Sequence, residues 1–106
     1  MIEWTDVAAE TEFLTGNCQR VEVDGVAIAI FKVGDHYYAI EDLCSHESET
    51  LSNGMLCGLE ITCPRHAARF SLVTGEALSP PAYEPIAVFP VRIENGRVLV
   101  RDDRFG

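Results

Sequence analysis

Five turn signals, Asp24-Gly25, Gly34-Asp35, Asn53-Gly54, Thr74-Gly75 and Asn95-Gly96, cut this chain into short apolar stretches. Gly, Asn and Asp tolerate the positive φ that tight turns demand, so this punctuation favours strands folded back on one another over long helices. Residues 20–42, "RVEVDGVAIAIFKVGDHYYAIED", predict three consecutive strands, because β-branched and aromatic residues dominate and each break has two turn residues. Residues 86–103 predict a fourth and fifth strand around Asn95-Gly96, with Val91 and Ile93 alternating on one arm and Val98 and Val100 on the other. Pro90 lacks an N–H and is compatible only with an edge or a bulge. No stretch of ten residues has a 3.6-residue apolar period, and the best helical candidate is one turn near Asp6 to Glu10.

With 106 residues the chain is expected to fold as one domain. Its middle differs from its flanks. Residues 43–78 are rich in Ser, Gly, Cys and His and carry only short apolar stretches, so they are expected to form a small subdomain inserted into a base sheet made from residues 1–42 and 79–106. The proline-rich residues 79–85, "SPPAYEP", return the chain to that sheet as a stiff loop.

Charge and hydropathy exclude several classes of function. A net charge of −9 argues against nucleic acid and against an anionic membrane, since both need clustered Lys and Arg. The longest apolar run, Val26 to Phe31, is far short of the roughly 20 residues that span a bilayer. The first ten residues, "MIEWTDVAAE", lack the basic and apolar regions of a secretory signal, so a cytoplasmic location is expected. Between Lys32 and Arg65 six carboxylates stand without one basic residue, which makes either a solvated acidic face or a docking surface for a basic partner.

The chemistry is concentrated in two pairs, Cys44-x-His46 and Cys63-x2-His66, separated by sixteen residues. In a reducing compartment such cysteines point to metal ligation before disulfides. Thiolate with imidazole suits zinc, a mononuclear iron, or an iron–sulfur cluster in which two His replace two Cys on one iron. Zinc fingers commonly keep like ligands together, whereas here each segment holds one Cys and one His. A split-ligand two-iron cluster accommodates that mixture, because each segment can give its Cys to one iron and its His to the other.

Residues 44–82, "CSHESETLSNGMLCGLEITCPRHAARFSLVTGEALSPPA", resemble the cluster-binding subdomain of Rieske [2Fe–2S] proteins. The chain as a whole is similar to the small Rieske-type ferredoxins of bacterial aromatic-ring-hydroxylating dioxygenase systems. The run from Arg69-Phe70 to Thr74-Gly75 and the Pro80-Pro81-Ala82 loop strengthen the likeness. The resemblance implies an all-β fold, a small antiparallel β-sandwich or partial barrel with the cluster subdomain at one end. It implies one [2Fe–2S] cluster per chain, with Cys44 and Cys63 on the inner iron and His46 and His66 on the outer iron near the surface. It further implies an electron carrier without catalytic residues of its own. Its partners would be a flavin-dependent NAD(P)H ferredoxin reductase and a terminal oxygenase, docking transiently around His46 and His66. A small subunit of another reductase, such as nitrite reductase, and a structural zinc module used for protein interaction are the competing readings.

High-potential Rieske proteins carry a disulfide between the cluster loops, and this chain has Glu49 and Arg65 at those positions. They also place Ser and Tyr hydroxyls near the ligand sulfurs, where this chain has Ala68 and Phe70. Without those donors the more negative reduced state is less stabilised, and nearby carboxylates act in the same direction, so the potential is expected towards the lower end of the roughly −150 to +300 mV Rieske range. Ala67 stands where the family usually has Gly. Outside the motif, Cys18 and Cys57 are expected to be small buried thiols, and His36 a solvated turn residue. Trp4, Phe31, Tyr37 and Tyr38 are expected to pack in the core or on sheet faces. Leu51, Met55 and Leu56 either rim the exposed histidines or pack beneath the cluster.

Overall fold

The computed structural model describes residues 3–13, 18–43, 50–64, 68–80 and 84–103. They form β1 (Thr5–Ala9), β2 (Cys18–Val23), β3 (Val26–Val33), β4 (His36–Glu41), β5 (Met55–Cys57), β6 (Glu60–Thr62), β7 (Arg69–Ser71), β8 (Val88–Phe89), β9 (Val91–Glu94) and β10 (Arg97–Val100). Short 3-10 turns at Glu10–Phe13 and Leu51–Asn53 are the helical elements among the described residues. None of these is long and apolar enough to cross a membrane.

The three strands predicted in residues 20–42 are β2, β3 and β4, paired antiparallel from Cys18 with Phe31 to Val23 with Val26, and from Ile28 with Glu41 to Val33 with His36. Asp24 and Gly25 both adopt positive φ, 51° and 83°, as do Asn95 and Gly96 at 52° and 76°. These are the values that match a two-residue turn to the right-handed twist of the strands it joins.

Three sheets result, ordered β1-β10-β9, β2-β3-β4-β8 and β5-β6-β7. The central strand β3 explains the apolar run in the sequence. Ile28 and Ile30 enter one core with Ala39, Val98, Val100 and Phe13, while Ala29 and Phe31 enter a second with Ile40, Leu51, Ile61 and Phe70. Alternate side chains of Ile28 to Phe31 are therefore buried on opposite faces, which leaves no position for a polar residue within that run. The sheet β5-β6-β7 falls inside residues 43–78 and shares its core with β3 and β4, so the inserted segment is packed on the base sheet by a continuous apolar interior.

One expectation about the elements changes. The helical turn foreseen near Asp6 to Glu10 lies at Glu10–Phe13, and Thr5–Ala9 is a strand instead. Pairing of Thr5 with Val100 and Ala8 with Val98, and burial of Ala8, override the weak helical preference of "VAAE". The turn begins where Glu12 Oε2 accepts from the backbone N–H of Ala9 at 2.9 Å, which satisfies a donor at its start. Pro90 sits in the gap between β8 and β9, which belong to different sheets, and so marks where the chain crosses from one layer to the next.

Candidate metal centre

Of the four expected ligands, Cys63 is described; Cys44, His46 and His66 lie outside the described residues, as do Glu49, Arg65 and Ala67. Among the described residues no three His, Cys, Asp or Glu side chains come together as a metal site. What is visible is how the two segments that hold the expected ligands are anchored.

The second segment leaves and rejoins the sheet at adjacent points. The backbone N–H of Cys63, immediately after β6, donates to the carbonyl of Ala68 at 2.7 Å, just before β7 begins. The two residues that flank the stretch carrying His66 are thus hydrogen-bonded to each other. Cys63 is 1% exposed, is not in a disulfide, and packs with Leu51, Ile61, Ala68, Phe70 and Leu72. A buried thiol with apolar neighbours on the core side suits an inward sulfur ligand; the fit to a Cys2His2 two-iron group rests on this position and on the donor set. Behind β7, Leu78 N–H donates to Arg69 O at 2.7 Å and Arg69 N–H donates to Ser79 Oγ at 3.0 Å, which pins the start of the proline-rich loop.

The first segment departs after β4. Asp42 has the strand parity of Ile40 and faces inward with it, and its carboxylate is fully buried. It is the one buried charged side chain among the described residues. Arg20 Nε, the backbone N–H of Ser52 (2.7 Å) and the Ser52 hydroxyl (2.8 Å) all donate to it. Three charge-assisted donors supply what a buried carboxylate needs to stay in place. In the sequence Asp42 stands in an acidic run expected to be either a solvated face or a docking surface; its burial depends on Arg20 and Ser52, 22 and 10 residues away in the chain.

Ser52 belongs to the turn Leu51–Asn53, which ends with Gly54 N–H donating to Leu51 O at 2.9 Å. Gly54 then lies directly on the backbone carbonyl of Thr62, one residue before Cys63. The two segments are therefore in contact through backbone at this point.

The three apolar candidates divide. Leu51 is fully buried in the shared core, Leu56 is half-buried against it, and Met55 is exposed at 74%. Leu43, directly before Cys44, is also exposed. Cys18, expected to be a buried thiol, is half-buried, and burial first, then the Asp42 charge, push its thiol up to about 11, with Arg20 opposing. Cys57 corrects the expectation of a buried thiol: it is exposed, because it ends β5 at the tight turn to β6 and its side chain projects away from the core. Phe31 is buried, Tyr37 packs edge-on against Phe13 at 5.1 Å, and Trp4 is half-buried beneath Arg101 at 4.7 Å. His36, expected in the turn, is the first residue of β4 and is exposed.

Residues 3–90 match the model of the Rieske [2Fe-2S] domain. The chain is 39% identical over 99 residues to the ferredoxin component of the naphthalene 1,2-dioxygenase system of Pseudomonas putida, covering 93% of this chain and 95% of that one. It is 42% identical over 86 residues to the 3-phenylpropionate/cinnamic acid dioxygenase ferredoxin subunit of Shigella flexneri, with 80% of each covered. Among solved structures, the ferredoxin of carbazole 1,9a-dioxygenase from Nocardioides aromaticivorans superposes with a TM-score of 0.86 at 32% identity, over 92% of this chain and 95% of that one. A chain from a complex of reduced oxygenase and oxidised ferredoxin in carbazole 1,9a-dioxygenase gives 0.85 at 39%, over 92% and 91%. A nitrite reductase small subunit from Mycobacterium tuberculosis shares the fold, with a TM-score of 0.83 at 22% identity over 96% of each chain.

Proposed function

Because the chain belongs to the Rieske [2Fe–2S] domain family, we propose that it is the ferredoxin component of a ring-hydroxylating dioxygenase system. It carries single electrons from a flavin-dependent NAD(P)H reductase to a terminal oxygenase. The observation that carries this reading is the near end-to-end match, at 39% identity, to a ferredoxin component of such a system. Likeness to the nitrite reductase small subunit is one of fold alone at 22% identity, and a structural zinc module does not suit a chain of this family.

In this reading Cys44 and Cys63 ligate the inner iron and His46 and His66 the outer one, within a cluster-bearing segment of residues 43–78 in a single domain. When bound, the cluster supplies a one-electron couple. The chain does the rest. Cys63, closed off by Leu51, Ile61 and Phe70, keeps water from the sulfur side. His46 and His66 present the imidazole side to a partner, and exposed Met55 and Leu43 supply apolar surface next to these segments for brief docking. An interface below about 1,200 Å² suits such an encounter. A cytoplasmic setting, where NAD(P)H is available, completes the proposal.

The test is reconstitution. Added to a flavin-dependent reductase and a terminal ring-hydroxylating oxygenase, the protein should raise NADH-dependent substrate oxidation above background. His66→Ala should abolish both the visible cluster spectrum and electron delivery. Retention of both by that variant would overturn the ligand assignment.

A further inference from the structure

The buried carboxylate of Asp42 has no role in the function as described, yet it is unusually placed. Its own backbone N–H donates to Ala27 O at 2.9 Å, which fixes it to the base sheet. Its side chain reaches across to Ser52, accepting from both the backbone N–H and the hydroxyl. Residues 42 and 52 enclose the first ligand pair, Cys44 and His46. Through the turn that holds Ser52, the same contact continues to Gly54 and Thr62, and so to Cys63.

We infer that Asp42 is a positioning residue for the cluster: with Ser52 it braces the two ligand-bearing segments against each other, and its charge, set against that of Arg20, tunes the cluster's potential. This rests on the ligand assignment proposed above. One residue, Leu43, separates Asp42 from Cys44, so their Cα atoms lie at most about 7 Å apart. A buried carboxylate so close in the chain to an expected ligand is poorly screened from a cluster that gains negative charge on reduction. Arg20, half-exposed and paired with the carboxylate, offsets part of that field.

Charge and brace separate by substitution. Asp42→Asn removes the charge but keeps an acceptor for the Ser52 N–H, and its amide can donate to the Ser52 oxygen. Asp42→Ala removes both. Ser52→Ala removes the hydroxyl and leaves the charge. The readouts are the midpoint potential by spectroelectrochemical titration and the rate of iron loss to a chelator, with thermal unfolding as a control. Both Asp42 variants should raise the potential. Iron loss should be several-fold faster in Asp42→Ala and Ser52→Ala than in Asp42→Asn. Should Asp42→Ala fail to fold, Asp42→Asn and Ser52→Ala still decide the matter. An unchanged or lowered potential in Asp42→Asn, or iron loss in Ser52→Ala at the wild-type rate, would overturn the inference while leaving the ligand assignment standing. A wild-type protein without the cluster spectrum would overturn the ligand assignment, and this inference with it.

Discussion

Gly54 and Thr62 touch through their backbones: a Cβ placed on Gly54 would lie 1.9 Å from the Thr62 carbonyl oxygen and 3.1 Å from that of Leu51. Neither obstacle is a flexible side chain. The φ of Gly54 is −82°, which any residue adopts, so glycine is needed here for closeness and not for backbone freedom.

The first prediction follows from that contact. Gly54→Ala must push the Leu51–Asn53 turn away from β6, at a cost of about 1–3 kcal/mol typical of overpacking. Because Cys63 follows Thr62 directly, the displacement should also weaken cluster retention. Chemical denaturation and the iron content of the purified variant check this; wild-type values for both would show that the backbone contact is not tight.

A second prediction concerns potential. Ala68 and Phe70 are both fully buried and bring no hydroxyl to the sulfur side of the site. Ala68→Ser and Phe70→Tyr each restore a donor at a position where high-potential relatives of the family have one, so each should raise the midpoint potential. If the new hydroxyl found no partner, the variant would lose about 1–3 kcal/mol of stability with no change in potential. For the wild-type protein, a midpoint above about +100 mV on the roughly −150 to +300 mV Rieske scale would contradict the low-potential assignment.

Alkaline stability gives a third. The Cys18 thiol is held at about 11 against an ordinary 9.0, chiefly by burial and then by the Asp42 charge. A raised value means the folded state favours the protonated thiol. That preference is fully present below pH 9 and is lost as pH rises towards 11, because the unfolded chain releases the proton first. Wild-type stability should therefore fall between pH 9 and 11 more steeply than that of Cys18→Ala. Urea midpoints for the two proteins across this window check the sign, and parallel curves would contradict it.

The sequence revealed some elements and hid others for physical reasons. Strands β2 to β4 and the β9–β10 hairpin were legible because Asp24-Gly25 and Asn95-Gly96 encode their turns locally. Strand β1 was not, since "TDVAA" becomes a strand only by pairing with β10, more than 85 residues away. The three-residue strands β5 to β7 were also missed: each is too short for alternation to register, and Leu51, Ile61 and Phe70 are buried by long-range packing. The spacing of Cys44, His46, Cys63 and His66 pointed to the Rieske family that residues 3–90 match, because residue type and interval are properties of the sequence itself, while their roles as ligands stand as part of the proposal. Asp42 was concealed for the opposite reason. In sequence it is one more acidic residue beside Glu41, and only the fold leaves Glu41 half-buried while Asp42 is buried and bonded by Arg20 and Ser52.

The claim on which the account depends is that two imidazoles and two thiolates share one two-iron cluster in this chain. Pulsed EPR of the dithionite-reduced protein, measuring nitrogen hyperfine coupling, tests it most directly. Two directly coordinated nitrogens should couple to the unpaired spin in the wild type, and His66→Ala should lose that signal. A reduced cluster without nitrogen coupling, or protein holding zinc and no acid-labile sulfide, would contradict it.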